Sequence, residues 1–234
     1  MAKTRSGWFT KQIHAYFVTV TDIKVTNTVV GITFYASMNS IVSDSTFSGV
    51  RTGANLNGTY NQYYCEEQSY LPYCGASNNT LANNTFSHNS TDHDGYGIYL
   101  GNAARDNTIR GNTISGFNYG VYIPDWYCSY IYTSYSSCQD GNMVYQNNFI
   151  DNFIDDYTTS FKTQIYADWG YTTTVFYLDA PDGGNYFNDF DEPAEGCEDA
   201  NGDGFCDACY YGNNTYDCLP WTTEEGWSPE SDDD

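Results

Sequence analysis

Residues 106–123 read DNTIRGNTISGFNYGVYI, where Asn-Thr-Ile occurs twice, five residues apart, before a glycine introduces Val-Tyr-Ile. A polar pair followed by an apolar residue recurs along the chain as a first column. Its members are Asn27-Thr28-Val29, Ser45-Thr46-Phe47, Asn84-Thr85-Phe86, Asn112-Thr113-Ile114 and Asn147-Asn148-Phe149. A second column comprises Gly31-Ile32-Thr33-Phe34, Gly97-Ile98-Tyr99-Leu100, Gly120-Val121-Tyr122-Ile123 and Gln164-Ile165-Tyr166-Ala167. Each unit is therefore predicted to run strand, turn, strand, turn.

The repeat has an irregular period. Starts of the first column lie 18, 39, 28 and 35 residues apart, and the long intervals contain insertions near residues 57–76 and 124–140. Without them, roughly 20 residues per unit remain, and a unit that short must stack on its neighbours to bury its apolar face. We therefore expect one solenoid over residues 1–190, then a Cys-rich loop over 191–221 and a disordered acidic tail over 222–234.

Three architectures can be built from such units. A leucine-rich repeat needs a spaced leucine framework, and leucine is scarce here. A tyrosine-rich antiparallel sandwich is the second alternative. A parallel β-helix gains from Asn side chains placed identically in successive coils, because they hydrogen-bond along the stack as Asn ladders do in cross-β fibrils. The Asn column favours this last fold, so the chain is predicted to be all-β, a right-handed parallel β-helix with disulfide-pinned insertions.

The composition favours strands over helices. The 234 residues include 24 Tyr and 21 Gly, and no long stretch has apolar residues at helical spacing. No run reaches the ~20 apolar residues of a membrane span. The formal net charge is −22, and residues 182–234 hold sixteen of the 30 acidic residues with no Lys or Arg. That balance argues against a nucleic-acid partner, because phosphate binding needs a basic surface.

Two segments, NNTLANNTFSHN (78–89) and DNTIRGNTISGFNYGVYI, resemble the repeats of the pectin-lyase-like superfamily, most closely its NosD-like branch. The resemblance covers about residues 20–190 and implies the parallel β-helix, a fold that hosts lyases, hydrolases, adhesins and scaffolds. It also implies that residues 184–190 and 218–221 close the coil stack. Copper handling, which gives that family its name, would need His and Met ligands, and the chain has three of each.

An acidic loop after the coils has the spacing of a calcium ligand set. Oxygen ligands fall at positions 1, 3, 5, 7 and 9 of an EF-hand-type loop. They belong to Asp199, Asn201, Asp203, Phe205 (through its carbonyl) and Asp207. Position 12 is Tyr210 and not glutamate, so a further ligand is expected from Glu195, Glu198, Asp189 or Asp191. We therefore expect a structural Ca²⁺ as cofactor, with a solvated acidic turn as the alternative.

Eight cysteines and five sequons predict an oxidising setting, extracellular or at the cell surface. Cys65 with Cys74 and Cys128 with Cys138 are expected to close loops in the insertions. Around the acidic loop, Cys197, Cys206, Cys209 and Cys218 could form disulfides or bind zinc; disulfides are favoured because only one CxxC pair exists, and a Cys206–Cys209 ring would be tight. The sequons are Asn57, Asn78, Asn83, Asn89 and Asn213. No signal peptide is visible, so we expect a removed signal or a fragment.

Two clusters are candidates for catalysis. Asp155 and Asp156 form an adjacent acidic pair, but the Asn-Thr-Asp, Gly-His-Gly and Arg-Ile-Lys motifs that accompany such a pair in polygalacturonase-like enzymes are absent. His88, Asp92 and His93 lie in a turn between strands, where an exposed polar turn is the alternative to acid–base chemistry or metal binding. An enzyme of this fold would be a polysaccharide lyase or a glycoside hydrolase.

Aromatic side chains crowd both insertions, which is typical of sugar-recognition surfaces; packing against the coil wall is the alternative. They are Tyr60, Tyr63, Tyr64, Tyr70 and Tyr73 in the first insertion and Trp126, Tyr127, Tyr130, Tyr132 and Tyr135 in the second. We expect an exported, non-catalytic β-helix protein that binds glycans or other surface proteins. The alternatives are the enzyme above and a subunit that self-associates through the strand edges at the ends of the solenoid.

Overall fold

The computed structural model describes residues 11–13, 16–58, 75–89, 95–101, 104–124, 141–152, 163–168 and 173–228. These residues form short strands and turns and contain no helix. Accordingly, no helix in this part of the chain is long and apolar enough to cross a membrane.

Three parallel sheets contain seventeen of the strands. Sheet 1 contains β1 (Lys11–Ile13), β4 (Val30–Tyr35), β7 (Thr52–Asn57), β10 (Tyr96–Leu100), β13 (Tyr119–Ile123) and β16 (Ile165–Ala167). Sheet 2 contains β2 (Thr19–Thr21), β5 (Ile41–Ser43), β8 (Thr80–Ala82), β11 (Thr108–Arg110) and β14 (Met143–Tyr145). Sheet 3 contains β3 (Lys24–Thr26), β6 (Thr46–Ser48), β9 (Thr85–Ser87), β12 (Thr113–Ser115), β15 (Asn148–Ile150) and β17 (Tyr186–Phe187). The remaining two, β18 (Tyr210–Tyr211) and β19 (Tyr216–Asp217), pair antiparallel.

Every pair of neighbouring strands in the three sheets is parallel and in register, and each of the first five coils contributes one strand to each sheet. Equivalent residues of successive coils are 22, 39, 28, 35 and 38 positions apart. The longer coils absorb the insertions without a change of register. The prediction of a parallel β-helix is confirmed.

The interior is filled by one apolar side chain from the middle of each short strand. In sheet 3 this buried residue has at least one neighbour that is partly or fully exposed. Ile114, for example, is buried between the partly exposed Thr113 and Ser115. Stacked aromatic rings join adjacent coils: Phe47 lies 5.0 Å from Phe86, and Phe149 lies 5.2 Å from Phe187. The interior column of sheet 3 is Val25, Phe47, Phe86, Ile114, Phe149 and Phe187.

Two ladders of buried asparagines explain the doubled phrase. In both, the backbone N–H and the Nδ2 of one Asn donate to the Oδ1 of the Asn on the next coil, at 2.9–3.1 Å. Asn107 and Asn112 therefore belong to different ladders, one before sheet 2 and one before sheet 3. The first ladder is Asn79, Asn107 and Asn142, and the second is Asn84, Asn112, Asn147 and Asn185.

Each ladder begins at a serine, and the second ends at a carboxylate. Ser40 N–H donates to Asn79 Oδ1, and Ser45 N–H donates to Asn84 Oδ1, both at 3.1 Å. At the other end, Asn185 donates its N–H and its Nδ2 to Asp217 Oδ2, at 2.6 and 2.9 Å. These bonds satisfy polar groups inside tight turns, where burial without a partner is costly.

The register of the first coil differs from the prediction. The partner of Ser45-Thr46-Phe47 is Ile23-Lys24-Val25, with Ile23 N–H bonded to Ser45 Oγ. Asn27, which was predicted to open the column, lies after β3 in a turn with φ of 54°. Its sequence resembles the repeat, but the preceding Ile-Lys-Val segment is the one that pairs along the sheet.

A glycine column marks where sheet 1 begins. Gly31, Gly53, Gly97 and Gly120 occupy one position in successive coils, and the strand that begins near Gly53 was absent from the second predicted column. A Cβ at Gly97 would lie 2.3 Å from Ile114 Cγ2 and 2.6 Å from the Gly120 carbonyl oxygen. Glycine is required because backbone and neighbouring side chains approach this closely.

Residues 173–228 form a cap on the last coil. Val175 pairs with Met143 of sheet 2, Asn213 with Tyr166 of sheet 1, and Trp221 with Tyr186 of sheet 3. Residues 222–228, which were expected to belong to a disordered tail, take part in this cap. Glu225 N–H donates to Asn148 Oδ1. All three sheets are therefore covered at this end.

Candidate functional site: a tyrosine stack on sheet 1

Five partly exposed tyrosines lie on the outer face of sheet 1, on three successive coils. The register places them in two columns, because side chains that pair across parallel strands stand above one another. One column holds Tyr96 and Tyr119. The other holds Tyr99, Tyr122 and Tyr166. We refer to these five residues as the tyrosine stack.

The rings of the tyrosine stack contact one another within and between columns. Tyr122 is the centre: its ring centroid lies 4.7 Å from that of Tyr96, 5.0 Å from Tyr119, 5.8 Å from Tyr99 and 5.7 Å from Tyr166. The Tyr96 and Tyr166 rings lie within 27° and 19° of the Tyr122 plane. Such offset aromatic pairs stabilise each other by about 0.5–1.5 kcal/mol beyond the area they bury.

The stack ends sharply at one side. On the two preceding coils the positions equivalent to Tyr99 are Asn55 and Thr33, and those equivalent to Tyr96 are Thr52 and Val30. The aromatic coils therefore stand beside a flatter surface of small side chains. At this boundary the Tyr96 and Tyr99 rings stand beside the smaller polar side chains of Thr52 and Asn55.

A carboxylate lies at the far end of the stack. The Tyr122 hydroxyl donates to Asp168 Oδ2 at 2.8 Å. Partial burial, then the hydrogen bond and the charge of Asp168, raise the pKa of Tyr122 above the ordinary tyrosine value. Tyr122 therefore stays a neutral hydrogen-bond donor at physiological pH.

Sequence reasoning found the strands of the stack but not the stack. Tyr99, Tyr122 and Tyr166 belong to the second predicted column, but sugar recognition was predicted for the aromatic residues of the insertions. The signal was the repeated Tyr-Gly-x-Tyr of Tyr96–Leu100 and Tyr119–Ile123. The predicted insertion aromatics, Tyr60 to Tyr73 and Trp126 to Tyr135, lie outside the described residues, and their role stays a prediction.

The structure places one of the five predicted catalytic residues. The His88 ring stacks on Phe117 with centroids 5.7 Å apart, and its Nδ1 lies 2.8 Å from the Val50 carbonyl oxygen. These contacts hold the ring against the coil wall. The others, Asp92, His93, Asp155 and Asp156, lie outside the described residues, so no catalytic cluster can be assembled from the described chain.

The calcium prediction is wrong. The Asp199 carboxylate accepts hydrogen bonds from the N–H groups of Gly202, Asp203 and Gly204, at 2.7–3.1 Å. Asn201 turns its Nδ2, a donor, toward Asp203 Oδ2. In the described residues, no group of three or more His, Cys, Asp or Glu side chains is arranged to hold a metal ion. The backbone N–H groups of the loop bond to the Asp199 carboxylate, as expected for the alternative prediction of a solvated acidic turn.

The other predicted ligands have separate partners. Asp207 accepts from the Ala200 N–H, and the Glu195 carboxylate accepts from the Asp191 N–H. Glu198 contributes its carbonyl oxygen to the Asp207 N–H. Phe205 contributes its ring, which lies 4.3 Å from the Trp221 ring, to a small apolar cluster. The acidic segment is therefore held by packing and hydrogen bonds.

The four cysteines of the cap form two disulfides, Cys197–Cys206 and Cys209–Cys218. Each links residues nine positions apart, and this pairing is one of the two that avoid a Cys206–Cys209 ring. The predicted Cys65–Cys74 and Cys128–Cys138 pairs lie outside the described residues.

The five sequons differ in exposure. Asn78, Asn83 and Asn89 are exposed on the coil turns. Asn57 Oδ1 accepts from the Gly58 N–H, and Asn213 Nδ2 donates to the Ala167 carbonyl oxygen. Glycan occupancy stays a prediction, and the first three sites present the more accessible amides.

Comparison with known protein families gives one match. The sequence model of the family described as "Periplasmic copper-binding protein (NosD)" matches residues 2–192, which is most of the chain and includes all coils of the three sheets. Searches of curated proteins and of solved structures gave no match. The family description names copper and not calcium, in agreement with the loop geometry above.

Proposed function

The chain belongs to the NosD family of periplasmic β-helix proteins, and from that premise we propose that it is a non-catalytic protein of the cell envelope that binds neutral glycans on sheet 1. The tyrosine stack carries the proposal. Aromatic rings pack against the apolar faces of sugar rings, and tyrosine adds a hydroxyl that bonds to sugar hydroxyls.

The geometry of the stack suits a chain ligand. Neighbouring coils are about 4.8 Å apart, which is close to the length of one pyranose ring. A glycan that runs parallel to the helix axis would therefore meet a tyrosine pair at each of two coils and Tyr166 at the third. Repetition of weak contacts at matched spacing raises affinity without a deep pocket.

Charge favours a neutral ligand. The residues at the two stacking positions on the five coils from β4 to β16 are tyrosine, asparagine, threonine and valine, none of them charged. Asp168 lies at one end, and the whole chain carries −22. Polyuronates would be repelled by this field, whereas neutral hexose or pentose polymers would not.

The residues described do not fit copper, the metal in the family's name. Copper takes His, Cys and Met ligands. All four described cysteines are in disulfides, and the His88 Nδ1 is bonded to a carbonyl oxygen. Met38 and Met143 lie on coils with two others between them, because Met38 neighbours Ser77 and Ser77 neighbours Arg105 along the stack. No step in the proposed function uses copper.

Affinity electrophoresis in gels that contain soluble xylan, mannan, β-glucan or polygalacturonate tests the proposal. We expect at least one neutral polymer to retard the protein and polygalacturonate not to. Tyr122→Ala should abolish the retardation, because it removes the ring that contacts all four others. Tyr145→Ala, an outward tyrosine of sheet 2, is the matched control and should behave as the parent protein does.

Two results would contradict the proposal. One is the absence of retardation by every neutral polymer at millimolar sugar concentration. The other is retardation that Tyr122→Ala leaves unchanged, which would move binding away from sheet 1. A parallel reducing-end assay on the same polymers checks the non-catalytic part, since release of new ends by the parent protein would favour the enzyme alternative.

A further inference from the structure

A cavity of about 540 Å³ opens in the cap, apart from the tyrosine stack. One wall is the segment 173–179, which extends sheet 2 because the Val175 N–H donates to the Asn142 carbonyl oxygen and the Val175 carbonyl oxygen accepts from the Val144 N–H. The other wall is the turn 214–216, which follows the residue that extends sheet 1. The cavity therefore lies at the corner where the continuations of two sheets face each other.

Two aromatic rings form the corner of this cavity. The Tyr177 and Tyr216 rings lie 6.2 Å apart with an angle of 44° between their planes. Tyr216 is 53% exposed, although it sits on a strand, so a large part of its ring is open to solvent. Rings at this distance and angle leave no room for a ligand between them but offer two adjoining walls.

Two side-chain acceptors, on Asn214 and Asp179, lie among the polar groups of the cavity. The Asn214 Nδ2 donates to the carbonyl oxygens of Ala167 and Asp168. The other amide atom of this side chain, Oδ1, is an acceptor. Asp179 adds an exposed carboxylate at the rim. Thr215, which is 7% exposed, lies among these groups and contributes little accessible surface.

We infer that this cavity binds a single neutral sugar ring, held by the faces of Tyr177 and Tyr216 and by hydroxyl donation to Asn214 and Asp179. A cavity of this size lies within the usual range for small-molecule sites. The acceptors on Asn214 and Asp179 suit a ligand that donates hydroxyl hydrogens, and Asp179 with the surrounding acidic cap disfavours a carboxylated sugar. The site does not need the tyrosine stack, so either can exist without the other.

The ligand can be a free monosaccharide or the end of a longer chain. Recognition of a sugar ring can be tested by titration of ¹⁵N-labelled protein. The titrants are methyl glucoside, methyl galactoside, methyl mannoside and glucuronic acid, each to about 20 mM. We expect at least one methyl glycoside to shift the backbone amides of residues 173–179 and 214–216, and glucuronic acid to bind at least about tenfold more weakly. Matching β-1,4-linked trisaccharides then separate the two sources: a chain end binds more tightly than its monosaccharide.

Tyr216→Ala is the diagnostic variant, and Tyr211→Ala is its control. These two tyrosines pair across β18 and β19, and both are exposed, but only Tyr216 lines the cavity. We expect Tyr216→Ala to weaken binding about tenfold, the loss of one stacking contact, and Tyr211→Ala to leave it unchanged. Tyr122→Ala should also leave it unchanged, which separates this site from the sheet 1 site.

Three outcomes overturn the inference. No amide shift with any methyl glycoside at 20 mM excludes a neutral sugar. Equal binding by Tyr216→Ala and the parent protein places the sugar elsewhere. Glucuronic acid that binds as tightly as the methyl glycosides contradicts the selection by charge.

Discussion

The asparagine ladders and the tyrosine stack are both rows of identical side chains repeated in register, one row inside the coils and one outside. Each ladder Asn is at most 1% exposed, and its amide bonds to the coils before and after it. The stack tyrosines are partly exposed, and their contacts are ring to ring. The same register therefore produces two rows with different physical roles.

The difference follows from what each row would leave behind if it were removed. A missing ladder Asn leaves buried donors and acceptors without partners, each of which costs about 1–3 kcal/mol. A missing stack tyrosine exposes its neighbours to water, which can solvate them. Inner repetition is thus required for the fold, whereas outer repetition is available for recognition.

The largest effect is expected for a break in the second ladder. Asn112 accepts from the N–H and Nδ2 of Asn84 and donates to Asn147 Oδ1 and to the Leu81 carbonyl oxygen. Asn112→Ala orphans several buried groups at once, so the free energy of unfolding should fall by about 4 kcal/mol or more. Urea denaturation followed by circular dichroism measures this.

Asn89→Ala is the control for that measurement, because Asn89 is exposed and follows a strand of the same sheet. Its free energy of unfolding should stay within about 0.5 kcal/mol of the parent value. A loss for Asn112→Ala no greater than that of Asn89→Ala would show that the ladder bonds contribute nothing measurable, and the contrast between inner and outer rows would fail.

The end of the second ladder should make stability depend on pH. Burial raises the pKa of Asp217 to about 7, and the hydrogen bonds from Asn185 and Leu219 oppose the rise. Between its ordinary value of 3.8 and about 7, the folded chain keeps a proton that the unfolded chain releases. The free energy of unfolding should therefore fall as pH rises, by about 2 kcal/mol from pH 5 to pH 7, and the contribution is lost above the folded pKa.

Asp217→Asn isolates this effect. The amide cannot ionise, so the variant should have a shallower fall between pH 5 and pH 7, although one donor–donor conflict lowers its stability at pH 5. Asp182→Asn removes a charge from an exposed position of the same cap and should keep the parent slope. Identical slopes for the parent protein and Asp217→Asn would assign the pH dependence to surface charge and not to the ladder's end.

The sequence revealed the ladders because identical turns select identical residues. Every ladder Asn except Asn185 follows a residue with positive φ, such as Asn83, Asp106 or Gln146, and the Asn-Thr-Ile phrase repeats that geometry. Strands without the phrase were missed or misaligned: Ile23 has no side-chain amide, and Gly53-Ala54-Asn55-Leu56 lacks the aromatic residue of the second column. The repeat can be recognised in the sequence only at coils where an Asn or Ser side chain makes the hydrogen bond between coils.

The tyrosine stack and the cap could not be predicted in the same way. The stack depends on register across insertions, since 44 positions separate Val121 from its partner Ile165. The cap is built from single contacts that do not repeat, such as the Phe187 and Tyr210 rings 3.8 Å apart. The calcium prediction failed for a related reason: ligand spacing matched, but the carboxylates bond to the loop's own amides.

A smaller effect is expected for the outer row. Tyr122→Ala removes the central ring and leaves Asp168 without its phenol donor, but both sites are open to solvent. The free energy of unfolding should fall by about 1–2 kcal/mol, clearly less than for Asn112→Ala, while glycan binding is lost. A loss as large as that of Asn112→Ala would mean that the stack is needed for folding, and its role in recognition would lose its support.

The smallest effect is expected in the acidic loop. Asp199 accepts three backbone N–H groups on an exposed turn, whereas Asp207 accepts one, from Ala200. In buffer with EDTA, Asp199→Ala should lower the free energy of unfolding by about 1 kcal/mol, as the loss of a capping side chain does, and Asp207→Ala by less. Measurement in EDTA reports the amide bonds alone. Equal losses for the two variants would contradict the assignment of loop closure to Asp199, because the hydrogen-bond count predicts a clear order between them.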